Sequence, residues 1–147
     1  MIRRISGLLA TLLALPVATA FAAQPPTVAV SNARMQVIIA RRPAAGYFDL
    51  KNNSSATVTL SGASAPDCQS VMLHRSMTKG GMSRMIMVKS IAVAPHGTLS
   101  FAPGGYHLMC MQPSGALLTH KGTEPVTLMF ADGSKVVMPF AIRGVGR

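Results

Sequence analysis

Histidine and methionine cluster in three short stretches in the second half of the chain. "GGYHLMCM", Gly104 to Met111, holds His107, Met109, Cys110 and Met111. "VMLHRSM" holds Met72, His74 and Met77, and "MSRMIM" holds Met82, Met85 and Met87. Thioether sulfur is a soft, neutral donor, and imidazole accepts copper in either oxidation state. A set made of His74, Met85, His107 and Met109 would therefore select Cu(I) over Zn(II), Mg(II) or Ca(II). It needs no thiolate, so it would survive where cysteines are oxidised.

For these side chains to meet, strands must carry them. Alternation along "YHLMCM" puts His107, Met109 and Met111 on one face and Tyr106, Leu108 and Cys110 on the other. A hairpin around "TKGG" with a four-residue loop, Thr78 to Gly81, would set Met77 against Met82, His74 against Met85 and Met72 against Met87. His74, Met72, Met85 and Met87 would then share a face, which must meet the His107 face at one edge of a sandwich. The same residues fit an ordinary alternative, because methionine is a flexible core filler. On pattern alone both stay open. Met35, Met129 and Met138 are expected in the core, while Met72, Met77, Met82, Met87 and Met111 are either extra donors or an apolar collar. His96, in a Pro-Gly turn, and His120, in a loop, are expected to be solvated.

Turn-forming clusters recur along the chain, among them "RRPAAG", "KNNSS", "SGASAPD", "APHG", "QPSG" and "ADGS". Between them lie short runs rich in β-branched, aromatic or alternating residues: "MQVIIA", "AGYFDLKN", "ATVTLSGA", "VMLHRSM", "MSRMIMVKS", "GTLSFA", "YHLMCMQ", "VTLMFA" and "KVVMPFAI". No long helical stripe interrupts them. The pattern predicts an all-β, antiparallel Greek-key β-sandwich. "ADGS" before "KVVMPF" predicts a tight hairpin with a type I′ turn at Asp-Gly.

The first residues pair Arg3 and Arg4 with a short apolar run and small-residue cleavage options, which reads as a secretory signal peptide over residues 1–22. Residues 23–147 then form a single domain in an oxidising compartment, most simply a bacterial periplasm, with no stable membrane insertion after cleavage. Fourteen Lys and Arg, less Arg3 and Arg4, leave twelve against the four acids Asp49, Asp67, Glu124 and Asp132. This basic surface favours acidic partners. The basic residues are scattered and Trp is absent, which argues against nucleic acid. Two cysteines, Cys68 and Cys110, point to one disulfide, with two buried free thiols as the alternative. Dispersed acids and the lack of a nucleophile motif argue against an enzyme.

The spacing His74, ten residues, Met85, twenty-one residues, His107, one residue, Met109 resembles the H-x10-M-x21-H-x-M motif of the periplasmic copper chaperones of the PCu(A)C family. "PGGYHLM" resembles that family's most recognisable segment, and the similarity runs from about Met35 to Arg143. The resemblance implies a cupredoxin-like or immunoglobulin-like β-sandwich that binds one Cu(I) through His74, Met85, His107 and Met109 near its surface. It also implies delivery of copper to the dinuclear centre of cytochrome c oxidase subunit II, in some cases with Sco-type thiol proteins; separately, the chain is expected to be a monomer. Some relatives carry a His- and Met-rich tail linked to Cu(II); this sequence ends "FAIRGVGR", so no second site is expected. Cys110 is outside the motif and is assigned with Cys68 to a structural disulfide. Met82 and Met111 would form a docking collar. The rivals are a cupredoxin-like electron carrier, which needs a thiolate ligand, and a purely structural β-sandwich.

Overall fold

The computed structural model describes residues 27–39, 42–119 and 121–144. The expected signal peptide and His120 lie outside them. In chain order the elements are β1 (Val28–Gln36), β2 (Ala44–Asn52), β3 (Val58–Ser64), β4 (Cys68–Lys79), β5 (Met82–Met87), β6 (Ile91–Val93), β7 (Thr98–Phe101), β8 (Tyr106–Pro113), α1 (Gly115–Thr119), β9 (Thr123–Phe130) and β10 (Lys135–Arg143).

Alternation builds the inner wall. Ala44, Phe48, Leu50 and Asn52 of β2 are buried, as are Leu108 and Cys110 of β8 and Val126, Leu128 and Phe130 of β9. The Phe48 ring stacks on Phe101 with centroids 4.3 Å apart and meets Phe140 at 5.5 Å. Burying a phenyl side chain of this kind stabilises the fold by roughly 2 to 3 kcal/mol. Asn52 is held in the core because its side-chain amide donates to the carbonyls of Ala56, Val93 and Ala94.

The strands form one sheet in the order β5-β4-β8-β7-β2-β1-β10-β9-β3-β6, with β8 also pairing β2. It closes where Ala63 of β3 pairs Val71 of β4. The sandwich is therefore shut into a flattened barrel, and the expected all-β class holds. Two pairings, β1 with β10 and β7 with β8, are parallel; the rest are antiparallel. Because β3 occupies the edge of β4 only near Val71, that edge is free from His74 onward, and β5 pairs there. β5 thus lies outside the closed circuit, and all six of its residues are exposed.

Three local expectations fail. β1 begins at Val28 rather than Met35, since a bulge between Ser31 and Arg34, with Asn32 at φ 53°, breaks the alternation that would reveal it. Ile38 and Ile39 lie beyond the strand and are exposed. β6 was not anticipated; its three residues are too few to show a period. The β9–β10 hairpin forms, but without a type I′ turn: Gly133 has φ 85°, whereas Ala131 and Asp132 keep ordinary negative φ. Instead Asp132 Oδ1 accepts the Ser134 N–H at 2.9 Å and closes a longer loop.

Cys68 and Cys110 are disulfide-bonded, with Cα atoms 5.3 Å apart. Beside them the Asp67 carbonyl accepts the Ser114 N–H at 2.9 Å, and Asp67 Oδ2 accepts the Ala116 N–H at 2.7 Å. Buried Glu124 in turn accepts the Asp67 N–H at 2.9 Å. This clasp joins the start of β4 to the end of β8. Burial pushes the Glu124 carboxyl above its ordinary value of 4.5, and the neighbouring Asp67 carboxylate acts in the same direction. The folded chain therefore keeps this proton where the unfolded chain has lost it, so stability falls as pH rises above about 4.5 through the raised value. Glu124→Gln keeps an oxygen acceptor for Asp67 and removes the titration. Its melting temperature should match wild type near about pH 4 and exceed it at neutral pH, by roughly 3 to 5 °C per kcal/mol released. Thermal unfolding followed across this pH range checks it; parallel curves for the two proteins would refute it.

Candidate metal centre

Gly80 and Gly81 join β4 to β5 with φ of 59° and 76°. Both are left-handed, which makes a two-residue type I′ turn rather than the expected four-residue loop. The ladder consequently pairs Lys79 with Met82, Met77 with Arg84, Ser76 with Met85 and His74 with Met87. This corrects the expected pairs Met77–Met82, His74–Met85 and Met72–Met87. The shift is by two residues, so faces are preserved. Met72, His74, Met85 and Met87 still share one face. Met82 lies on the other, with Arg75, Met77, Lys79, Arg84 and Ile86, and so cannot belong to a collar on the histidine side.

β4 also pairs with β8, setting His74 across from His107, Met72 across from Met109 and Ser70 across from Met111. The two histidines are therefore neighbours within one sheet; they do not meet across a sandwich edge as expected. Their rings are 5.7 Å apart at 80°. Of the predicted set, His74 and His107 face each other across the ladder, and Met109 on β8 and Met85 on β5 each lie one ladder step away on the same face. Met111 follows on the same face. Met35 is buried in the core as expected, Met129 and Met138 are partly buried, and His96 is exposed.

His107 is only 5% exposed although it sits on the outer face. Its Nδ1–H donates to the Gly105 carbonyl at 3.2 Å. A carbonyl can only accept, so this bond places the proton on Nδ1 and leaves the Nε2 lone pair free for a metal. Sequence reasoning missed the role of Gly105; the double glycine before Tyr106 was the available signal. His74 Nδ1 is buried with no hydrogen-bond partner. An unmet buried polar atom costs about 1 to 3 kcal/mol, and a metal accepting its lone pair would remove that cost. Burial, and then the charge of His107, push the His74 pKa below 6.5. The neutral ring that can donate an electron pair is thereby favoured.

Among the described residues no three His, Cys, Asp or Glu side chains converge on a metal position. Both cysteines are spent in the disulfide. A metal held here must take thioether sulfur, and the donor set is therefore soft and uncharged. On the opposite face, the exposed Arg75 guanidinium lies over the Tyr106 ring, 5.1 Å from its centroid, bracing the two strands just beyond the histidines.

The LpqE-like family, described as "Putative lipoprotein LpqE-like", matches residues 28–142. The chain belongs to the LpqE-like family. A curated relative, "Putative lipoprotein Lxx21020" of Leifsonia xyli subsp. xyli, is 40% identical over 91 residues, covering 61% of this chain and 54% of that protein. The LpqE-like chain thus matches about half the length of that relative. Among solved structures, the Cu(I) form of DR1885 from Deinococcus radiodurans is 29% identical with a TM-score of 0.65, covering 83% of this chain and 81% of that one. The apo form of the same protein matches with a TM-score of 0.60 over 95% of this chain and 97% of that one. The copper-bound PCuAC domain of PmoF2 has a TM-score of 0.67 at 18% identity, covering 81% and 94% of the two chains, a likeness of fold. The resemblance to the PCu(A)C family drawn from the ligand spacing is upheld, and the LpqE-like chain has the cupredoxin-like fold of these domains.

At neutral pH, two-bond proton–nitrogen correlation spectra should show His107 as the Nδ1–H tautomer. The opposite tautomer would mean that Gly105 does not hold the ring.

Proposed function

We propose that this chain is an exported copper chaperone that binds Cu(I) through His74, Met85, His107 and Met109. Its site is the periplasm, and its acceptor is the dinuclear copper centre of cytochrome c oxidase subunit II, reached directly or through Sco-type copper proteins. The observation that carries the reading is the adjacent imidazole pair, with one ring pinned through Nδ1 and the other left with a buried, unpartnered nitrogen, on a face whose remaining donors are thioethers. The copper-bound state of DR1885 and of the PmoF2 domain supports the same cargo. The lipoprotein description of the curated relative supports export.

An electron-carrying cupredoxin is disfavoured because such a centre needs a cysteine thiolate, and Cys68 and Cys110 are bonded to each other. Nothing in the donor set supplies a general base with a nucleophile, so the reading is of a carrier and not an enzyme.

Delivery follows from the donors. Neutral imidazoles and thioethers leave the positive charge of Cu(I) uncancelled, and an acceptor offering thiolates gains that attraction. Transfer is ligand exchange toward the stronger site. The hairpin adds steering: Arg75, Lys79 and Arg84 lie on it and Lys89 follows it, while β4, β5 and β8 contain no acidic residue. Such a surface draws in an acidic acceptor.

Cu(I) titrated against a competing chelator should load one ion per chain in wild type and lose it in the His107→Ala, Met109→Ala double variant. Equal binding by the two proteins would overturn the assignment, and absence of binding by both would leave only a structural sandwich. Transfer to an acidic acceptor should slow several-fold as salt shortens the Debye length from about 10 Å at 0.1 M to about 3 Å at 1 M; an unchanged rate would remove the steering role.

A further inference from the structure

The hairpin ladder singles out a methionine that the motif spacing passes over. His74 stands across from Met87, and Met85 stands across from Ser76. The Val88 N–H donates to the Leu73 carbonyl at 2.8 Å, immediately outside the His74–Met87 pair. In an antiparallel ladder this makes His74–Met87 a pair without backbone hydrogen bonds of its own. Such pairs bring their Cα atoms to about 4.5 Å, against about 5.5 Å for the other kind. Met85 reaches His74 only along a diagonal of about 7 to 8 Å. Both side chains are free to turn, Met85 being 61% exposed and Met87 65%. A thioether on three rotatable bonds needs little rearrangement to swing over the imidazole.

From this juxtaposition we infer that Met87 is a fifth donor for Cu(I), exchanging with Met85 at the coordination position that β5 supplies. The inference rests on the copper reading above. His74, His107 and Met109 belong to strands paired within the closed sheet, so they form the fixed half of the site. Met85 and Met87 belong to the exposed outer strand and form the exchangeable half. When one sulfur leaves, the other takes its place, so the ion stays held until a sulfur of the acceptor displaces whichever is bound. No bond order or oxidation state changes in this exchange; one Cu–S contact replaces another.

The test titrates Cu(I) under a competing chelator into wild type, Met85→Leu, Met87→Leu and the double variant, with methionine methyl resonances followed by carbon-13 NMR. Leucine keeps the bulk of these exposed side chains, so the fold is undisturbed. Cu(I) should move the Met87 methyl signal as well as that of Met85. Met85→Leu should weaken binding by about tenfold or less, and the double variant by about a hundredfold or more, beyond the product of the single losses, as expected for two groups serving one place. If wild type binds Cu(I) while the Met87 signal stays still, and Met87→Leu adds nothing to Met85→Leu, the fifth donor is refuted and the copper reading stands. If wild type binds no Cu(I), both fall.

Discussion

The antiparallel pairing of β4 with β8 is the constraint from which the candidate centre follows. It sets His74 against His107 and Met72 against Met109 on the outer face. The same pairing sends Leu73, Leu108 and Cys110 into the core. A slip of one residue would exchange these sets, turning both imidazoles to the inner face and the leucines to the outer one. The apolar face thus fixes the polar one: what orients the donors is the cost of hydrating Leu73 and Leu108. The disulfide and the Asp67 clasp secure this register at one end, and the carbonyl of Gly105 holds His107 near the other.

Around this ladder the electrostatics favour a low-charge cargo. No candidate donor is anionic, the flanking hairpin is basic, and the nearest acids lie at the far end of β4 and β8 or on other strands. A positive surround raises the cost of each further positive charge brought into it. On the copper reading, it weighs against Cu(II) more than against Cu(I), in the same direction as the softness of sulfur.

Much of this was legible in the residues. Period-two alternation gave the all-β class and the two faces of β8, and the intervals from His74 to Met109 pointed to a single site. The pair of cysteines pointed to the bond that forms. What escaped was register. "TKGG" can close as four residues or as two, and only the left-handed backbone at both Gly80 and Gly81 decides it. Likewise the bulge beside Asn32 hid the true span of β1, because one irregular step interrupts the alternation on which strand recognition depends. The closure of β3 on β4 rests on a single pair, Ala63 with Val71, and one rung between consecutive strands is too little to announce itself as a hairpin. The bond from His107 to Gly105 is a matter of ring orientation, which spacing does not encode.

β5 contributes no buried side chain, and its inner edge alone is paired. Its attachment therefore depends on backbone bonds to β4 and on no share of the core. Local opening free energies scale with such sharing, so the outer half of the hairpin can peel away on a timescale of its own while the barrel stays shut. The protein is in this sense a rigid jar with a hinged lip, and the two proposed donor sulfurs of β5, those of Met85 and Met87, are mounted on the lip.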